Sequence, residues 1–189
     1  MSRLIETIRV NDGKAENIDY HFKRMRRLPL HWRPEELLNI SLPPLGVHRL
    51  RIVYDADHFL YTTTPYTARP IRSLKLVFNN EIMYDHKYED RSGLQEMYDL
   101  REGCDDVLIV KNNLITDVTY ANIVFRKDNQ WFTPDSFLLN GTMRQFLLDK
   151  ELISEARITP DDLSRYSHFK LINAMLRDEA PGSEILNIR

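Results

Sequence analysis

The chain has 189 residues, 42% of them hydrophobic, enough apolar material for one or two small cores. Lys and Arg number 26 against 28 Asp and Glu, and the net charge of −2 gives no electrostatic case for nucleic acid or a membrane surface as partner. A single cysteine, Cys104, excludes an internal disulfide and a cysteine-built zinc site.

Arg3, Glu6, Arg9, Asp12 and Lys14 interrupt the N-terminal stretch, so no signal peptide is expected. No later stretch approaches the roughly 20 apolar residues of a membrane span, and a cytoplasmic protein is expected. Leu4 to Val10 reads as a strand, and Asn11-Asp12-Gly13-Lys14 as a hairpin turn. Asp19 is the predicted N-cap of a helix carrying His21 to Leu28, which Pro29 stops. Pro34 to Leu38 forms a short helix. Val47 to Tyr54, Phe59 to Thr64 and Leu74 to Phe78 form strands. Short strands follow at Val107 to Val110, Leu114 to Thr116, Ala121 to Phe125 and Gln130 to Phe132, the rhythm of a meander or barrel. A helix runs from Thr142 to about Leu152. Thr159 then caps a short helix opened by Pro160, and Phe169 to Ile172 is a strand. The class is α+β, with a small N-terminal α/β domain over 1–85 and a C-terminal domain over 86–189.

Three features carry chemistry, and their order matters. Lys87, in Tyr84-Asp85-His86-Lys87-Tyr88-Glu89-Asp90-Arg91, offers an amine. Asp117, in Thr116-Asp117-Val118-Thr119-Tyr120-Ala121-Asn122, offers a carboxylate just before a buried strand. Leu139-Asn140-Gly141-Thr142-Met143-Arg144-Gln145 is a turn that opens a helix. There Gly141 lets the backbone approach a ligand, and the N–H groups of Thr142 and Met143 with the helix dipole suit a phosphate. Taken singly, each has an ordinary role: a solvated lysine, a turn aspartate, a helix start. Together they are an amine for a Schiff base, an acid for a pyridine nitrogen and a phosphate cradle, the parts that hold pyridoxal 5'-phosphate.

With these flanks the chain resembles the class IV aminotransferases, the fold type IV pyridoxal-phosphate enzymes, from Ile5-Glu6-Thr7-Ile8-Arg9 through Asn173. The resemblance implies an N-terminal α/β sandwich shortened at its N-terminus, where the family's first hairpin is missing, and a C-terminal pseudobarrel. It makes Lys87 the catalytic lysine and Asp117 the stand-in for the usual glutamate, with Asn122 beside it. It assigns phosphate contacts to Thr142, Met143, Asn173 and to Arg24 of His21-Phe22-Lys23-Arg24-Met25. It further implies a homodimer with sites at the domain boundary and with Glu6 and Arg9 toward the substrate. Asn140-Gly141, Met143-Arg144-Gln145, Asn173-Ala174 and Arg91, four residues after Lys87, favour aminodeoxychorismate lyase activity, which releases pyruvate and 4-aminobenzoate for folate synthesis. Arg9, Arg51 and Arg91 are the candidate partners for the carboxylates of a small-molecule amine substrate. An amino acid aminotransferase, of branched-chain or D-amino acid type, and a cofactor-free binding protein on the same scaffold are the alternatives. No metal site is expected.

Overall fold

The computed structural model describes residues 2–176, 183, 184 and 187–189 and divides into two compact units. One runs to Ala68 and takes in His86–Asp90; the other comprises Arg69–Asp85 and Arg91–Arg189. The sequence division at residue 85 is therefore cut differently, and strand pairing is the reason. Leu74–Phe78 pairs in parallel with Asp106–Lys111, so it belongs to the second unit. Residues 86–90 return to the first, where Ile5 N donates to Lys87 O (2.8 Å) and Glu89 N to Arg3 O (2.9 Å).

The first unit is a four-stranded antiparallel sheet in the order β2-β1-β3-β4, from β1 (Leu4–Asn11), β2 (Lys14–Ala15), β3 (Val47–Tyr54) and β4 (Phe59–Pro65). Asp12 and Gly13 turn β1 into β2 with positive φ, as the Asp-Gly pair predicts. Helix α1 (Ile18–Met25) covers one face, burying Phe22 and Met25 against Leu4, Ile8, Val10, Leu50, Ile52 and Tyr54. It starts before the predicted His21 because Asn17, at φ 52°, forms the turn that precedes it. Asp19 falls in the first turn, where a negative charge complements the dipole.

The second unit has two sheets. β5 (Leu74–Phe78), β6 (Asp106–Lys111) and β7 (Leu114–Val118) form one; β8 (Asn122–Lys127), β9 (Gln130–Pro134), β10 (Ser154–Ala156), β11 (His168–Ile172) and β12 (Ser183–Glu184) form the other, in the order β10-β9-β8-β11-β12. Leu74, Leu108, Val110, Ile115 and Val118 of the first meet Ile123, Phe125 and Phe169 of the second in one shared core. That closure is the pseudobarrel. Helix α2 (Ser92–Asp99), absent from the sequence reading, packs Leu94 and Met97 on Val77, Val107 and Ile109. Helix α3 (Thr142–Asp149) packs Met143 and Leu147 on Val124 and Ile172. Among the described residues, no helix is long and apolar enough to cross a membrane.

Arg144 pins the start of α3. It is 1% exposed, and its guanidinium stacks 4.3 Å from the Phe137 ring. It donates to Asn140 Oδ1 (3.2 Å), to Pro134 O (3.1 Å) and to Glu155. Removing the guanidinium leaves the Pro134 carbonyl short of a donor, whereas Glu155 is half exposed and water can replace its partner. Arg144→Met should therefore cost about 1–3 kcal/mol in urea unfolding, and Glu155→Gln less than about 1 kcal/mol. Equal costs would show that the exposed ion pair, and not the buried fork, holds the turn.

Candidate functional site

In the first unit, strand alternation turns Glu6 to the same side of β1 as Leu4, Ile8 and Val10, with 0% exposure. Its Oε2 accepts from His21 Nδ1 at 2.6 Å and from Arg24 Nη2, and its Oε1 accepts from Arg24 Nε at 2.7 Å. Glu6 is thus committed to α1, which corrects the expectation that it faces a substrate. Burial pushes the Glu6 carboxyl up, but the Arg24 charge beside it and the hydrogen bonds overcome that and hold it at about 2. A carboxylate only accepts, so the shared proton sits on His21 Nδ1. Burial lowers His21 below its ordinary value despite the pull of Glu6, with Arg24 and then Lys87 lowering it further. His21 is therefore neutral at pH 7.

Lys87 lies on the segment that pairs with β1, its carbonyl bonded to Ile5 N, the residue next to Glu6. Two of the predicted substrate arginines belong to this unit and have acidic partners. Arg9 Nε lies 3.3 Å from Glu16, and Arg51 Nη2 donates to Glu89 at 3.4 Å.

In the second unit, Asp117 sits inside β7, not ahead of a strand, and is 5% exposed. Its Oδ2 accepts from the N–H groups of Leu138 and Leu139, both at 3.0 Å, and its Oδ1 accepts from Asn122 Nδ2 at 2.8 Å. Asn122 also donates to Leu139 O at 2.8 Å, so one amide clips the carboxylate to the turn before α3. Gly141 completes the arrangement: a Cβ built there would collide with Asn122 Oδ1. This is the close approach the glycine permits, and it is independent of φ, which is an ordinary −66°. Burial raises the Asp117 carboxyl from the ordinary 3.8 to about 6, against the Leu139 N–H, the Asn122 amide, the Leu138 N–H and Arg144. Every group that donates a hydrogen bond to it is neutral. Such a carboxylate suits a cationic ring N–H, so the donor set fits a pyridoxal group, and the glycine-bounded turn leading into a helix fits its phosphate.

Thr142 and Met143 occupy the first positions of α3, both buried. Asn173 Oδ1 accepts from the N–H groups of Met175 (2.8 Å) and Leu176 (2.9 Å), so its side chain closes the turn after β11. Arg91 Nη2 donates to Thr119 O at 2.7 Å, while the Thr119 hydroxyl donates to the buried Asp106 at 2.9 Å. The structure thus joins Arg24 to Glu6 and His21, with Lys87 on the neighbouring segment, and joins Asp117 to Asn122 and the Gly141 turn. The sequence reading did not single out His21 as a partner of Glu6, nor Asp106 as a partner of Thr119. Glu6 and His21 lie 15 residues apart, with no local pattern linking them.

The family model for amino-transferase class IV matches residues 96–183. An uncharacterized protein of Haemophilus influenzae is 34% identical over 185 residues, 93% of this chain and 98% of that one. The solved structure of a candidate 4-amino-4-deoxychorismate lyase from Haemophilus somnus is 32% identical, with TM-score 0.85, over 93% of this chain and 97% of that one. A PLP-bound hypothetical aminotransferase from Mycobacterium tuberculosis is 16% identical, with TM-score 0.74, over 99% of this chain and 81% of that one, a likeness of fold. Motif order, pseudobarrel and these likenesses agree: the chain belongs to the class IV aminotransferase family of enzymes.

Proposed function

We propose that this enzyme binds pyridoxal 5'-phosphate and acts as a 4-amino-4-deoxychorismate lyase, releasing pyruvate and 4-aminobenzoate. The observation that carries the cofactor is the buried Asp117 carboxylate, served by neutral donors and clipped through Asn122 to the Gly141 turn. The choice of lyase rests on the likeness to the Haemophilus somnus protein and on the Asn140-Gly141, Met143-Arg144-Gln145 and Asn173-Ala174 pattern.

When bound, the cofactor supplies an electron sink for the substrate carbon. Lys87 is the amine that would hold it, and the same Nζ would serve as the base for the proton on the amine-bearing ring carbon. Asp117 keeps a proton on the pyridine nitrogen. The backbone at Thr142 and Met143, with the α3 dipole, holds the phosphate, and Arg24 and Asn173 support it. Arg9, Arg51 and Arg91 are the cations for the substrate's carboxylates. The same reading makes the protein a cytoplasmic homodimer that furnishes a folate precursor.

Purified protein supplied with the cofactor and 4-amino-4-deoxychorismate should yield pyruvate and 4-aminobenzoate in equal amounts, and Lys87→Ala should lower the rate by roughly 10²–10⁴-fold. Amino exchange between an amino acid and a 2-oxo acid, with neither product formed, would replace the lyase by the aminotransferase alternative.

Asp117 also sets a pH dependence for the cofactor-free protein. Its folded pKa, about 6, lies above the ordinary 3.8, so its stabilising contribution is full below about pH 4 and is lost as pH rises through about 6. Relative to Asp117→Asn, wild-type unfolding free energy should fall by about 2 kcal/mol between pH 4 and pH 8. Parallel pH profiles for the two proteins would contradict a carboxylate buried among neutral donors.

A further inference from the structure

The Glu6, His21 and Arg24 cluster of the first unit has no part in the chemistry above beyond the phosphate contact given to Arg24. Its construction is nonetheless costly: a carboxylate and an imidazole at 0% exposure and an arginine at 9%, drawn from β1 and α1. Buried charge is retained where something compensates it. Here Glu6 meets Arg24 through both of its oxygens and holds the His21 proton on Nδ1. The sum over the three side chains is zero charge.

The same strand carries the lysine. Ile5 N bonds Lys87 O, Leu4 bridges to Tyr88, and Glu89 N bonds Arg3 O, so residues 87–89 run beside the β1 start that presents Glu6. Lys87 is near enough for its charge to act on the His21 ring. Other charged and titratable groups of the same unit lie along this segment. Arg3 pairs with Glu89 at 2.8 Å and Arg51 with the same carboxylate at 3.4 Å. The Tyr54 hydroxyl of β3 is held neutral by burial, and the His86 ring lies 5.9 Å from that of Tyr88.

We infer that Glu6 is a positioning residue for Lys87: its carboxylate cancels the Arg24 charge and fixes the His21 proton on Nδ1, so that the lysine amine works beside an electrically neutral triad. This rests on the reading of Lys87 as the cofactor-bearing amine. Without Glu6, an uncompensated guanidinium disfavours the lysine's ammonium form. Without Arg24, an uncompensated carboxylate favours it. The two losses act in opposite directions, which a merely structural role for the cluster would not produce.

The test uses pyridoxal, which lacks the phosphate, so that phosphate binding by Arg24 does not enter. The whole cofactor-free protein is treated with pyridoxal across a pH series and reduced with borohydride, and labelling of Lys87 is measured by peptide mass. Glu6→Gln should move the labelling midpoint down by about one pH unit, and Arg24→Gln should move it up by about as much. The double variant, which carries neither charge, should return it to the wild-type position. Should Glu6→Gln fail to fold, the upward shift in Arg24→Gln and its reversal in the double variant decide alone. Midpoints that stay fixed, or singles that move in the same direction, would overturn the inference while leaving Lys87 as the cofactor lysine. Label on another lysine, or none on Lys87, would overturn both.

Discussion

A buried carboxylate must find compensation, and each unit of this chain is organised around one that does. Glu6 and Asp117 are both withdrawn from water, yet the environment drives them apart: Glu6 to about 2, Asp117 to about 6. The difference lies in the partners. Glu6 meets a guanidinium through two oxygens, so its ionised form is favoured in spite of burial. Asp117 meets two backbone N–H groups and one amide, which satisfy its oxygens without cancelling its charge. One carboxylate is paired with a cation; the other is bonded by neutral donors alone.

The local architecture follows from these two demands. Around Asp117, the N–H groups of Leu138 and Leu139 turn inward, Asn122 bridges the carboxylate and the Leu139 carbonyl, and the backbone at Gly141 passes where a side chain would not fit. Arg144, anchored below by the Pro134 carbonyl and the Phe137 ring, fixes where α3 begins. The helix start is therefore held from both sides. In the first unit, the Glu6 pairings hold α1 on the sheet through Arg24 and His21.

Much of this was legible in the sequence, for physical reasons that differ by element. The strands β1, β3 to β5 and β6 to β9 are largely runs of apolar and β-branched residues punctuated by turns such as Asp12-Gly13, which local chemistry specifies. The capped turn at Thr159 also matched, with Asp162 accepting from both the Thr159 amide and hydroxyl. What was not legible depends on distant partners. Helix α2 offers the core only Leu94 and Met97 from a polar eight-residue segment, and β10 is a polar run that becomes a strand only beside β9. Glu6 read as a residue facing the substrate and Arg24 as a phosphate contact, because their mutual burial depends on a pairing across 18 residues. The motif order Lys87, Asp117, Gly141 was visible, but the bonds that hold Asp117 come from 21 and 22 residues further on.

The central proposal is that Lys87 is the amine that carries the pyridoxal group. It is tested most directly by incubating the cofactor-free protein with pyridoxal 5'-phosphate, reducing with borohydride and mapping the adduct by mass spectrometry. The account predicts one phosphopyridoxyl group per chain, on Lys87, with incorporation weakened in Asp117→Ala. An adduct on Lys75 or Lys111, or none under conditions that leave the protein folded, would contradict it.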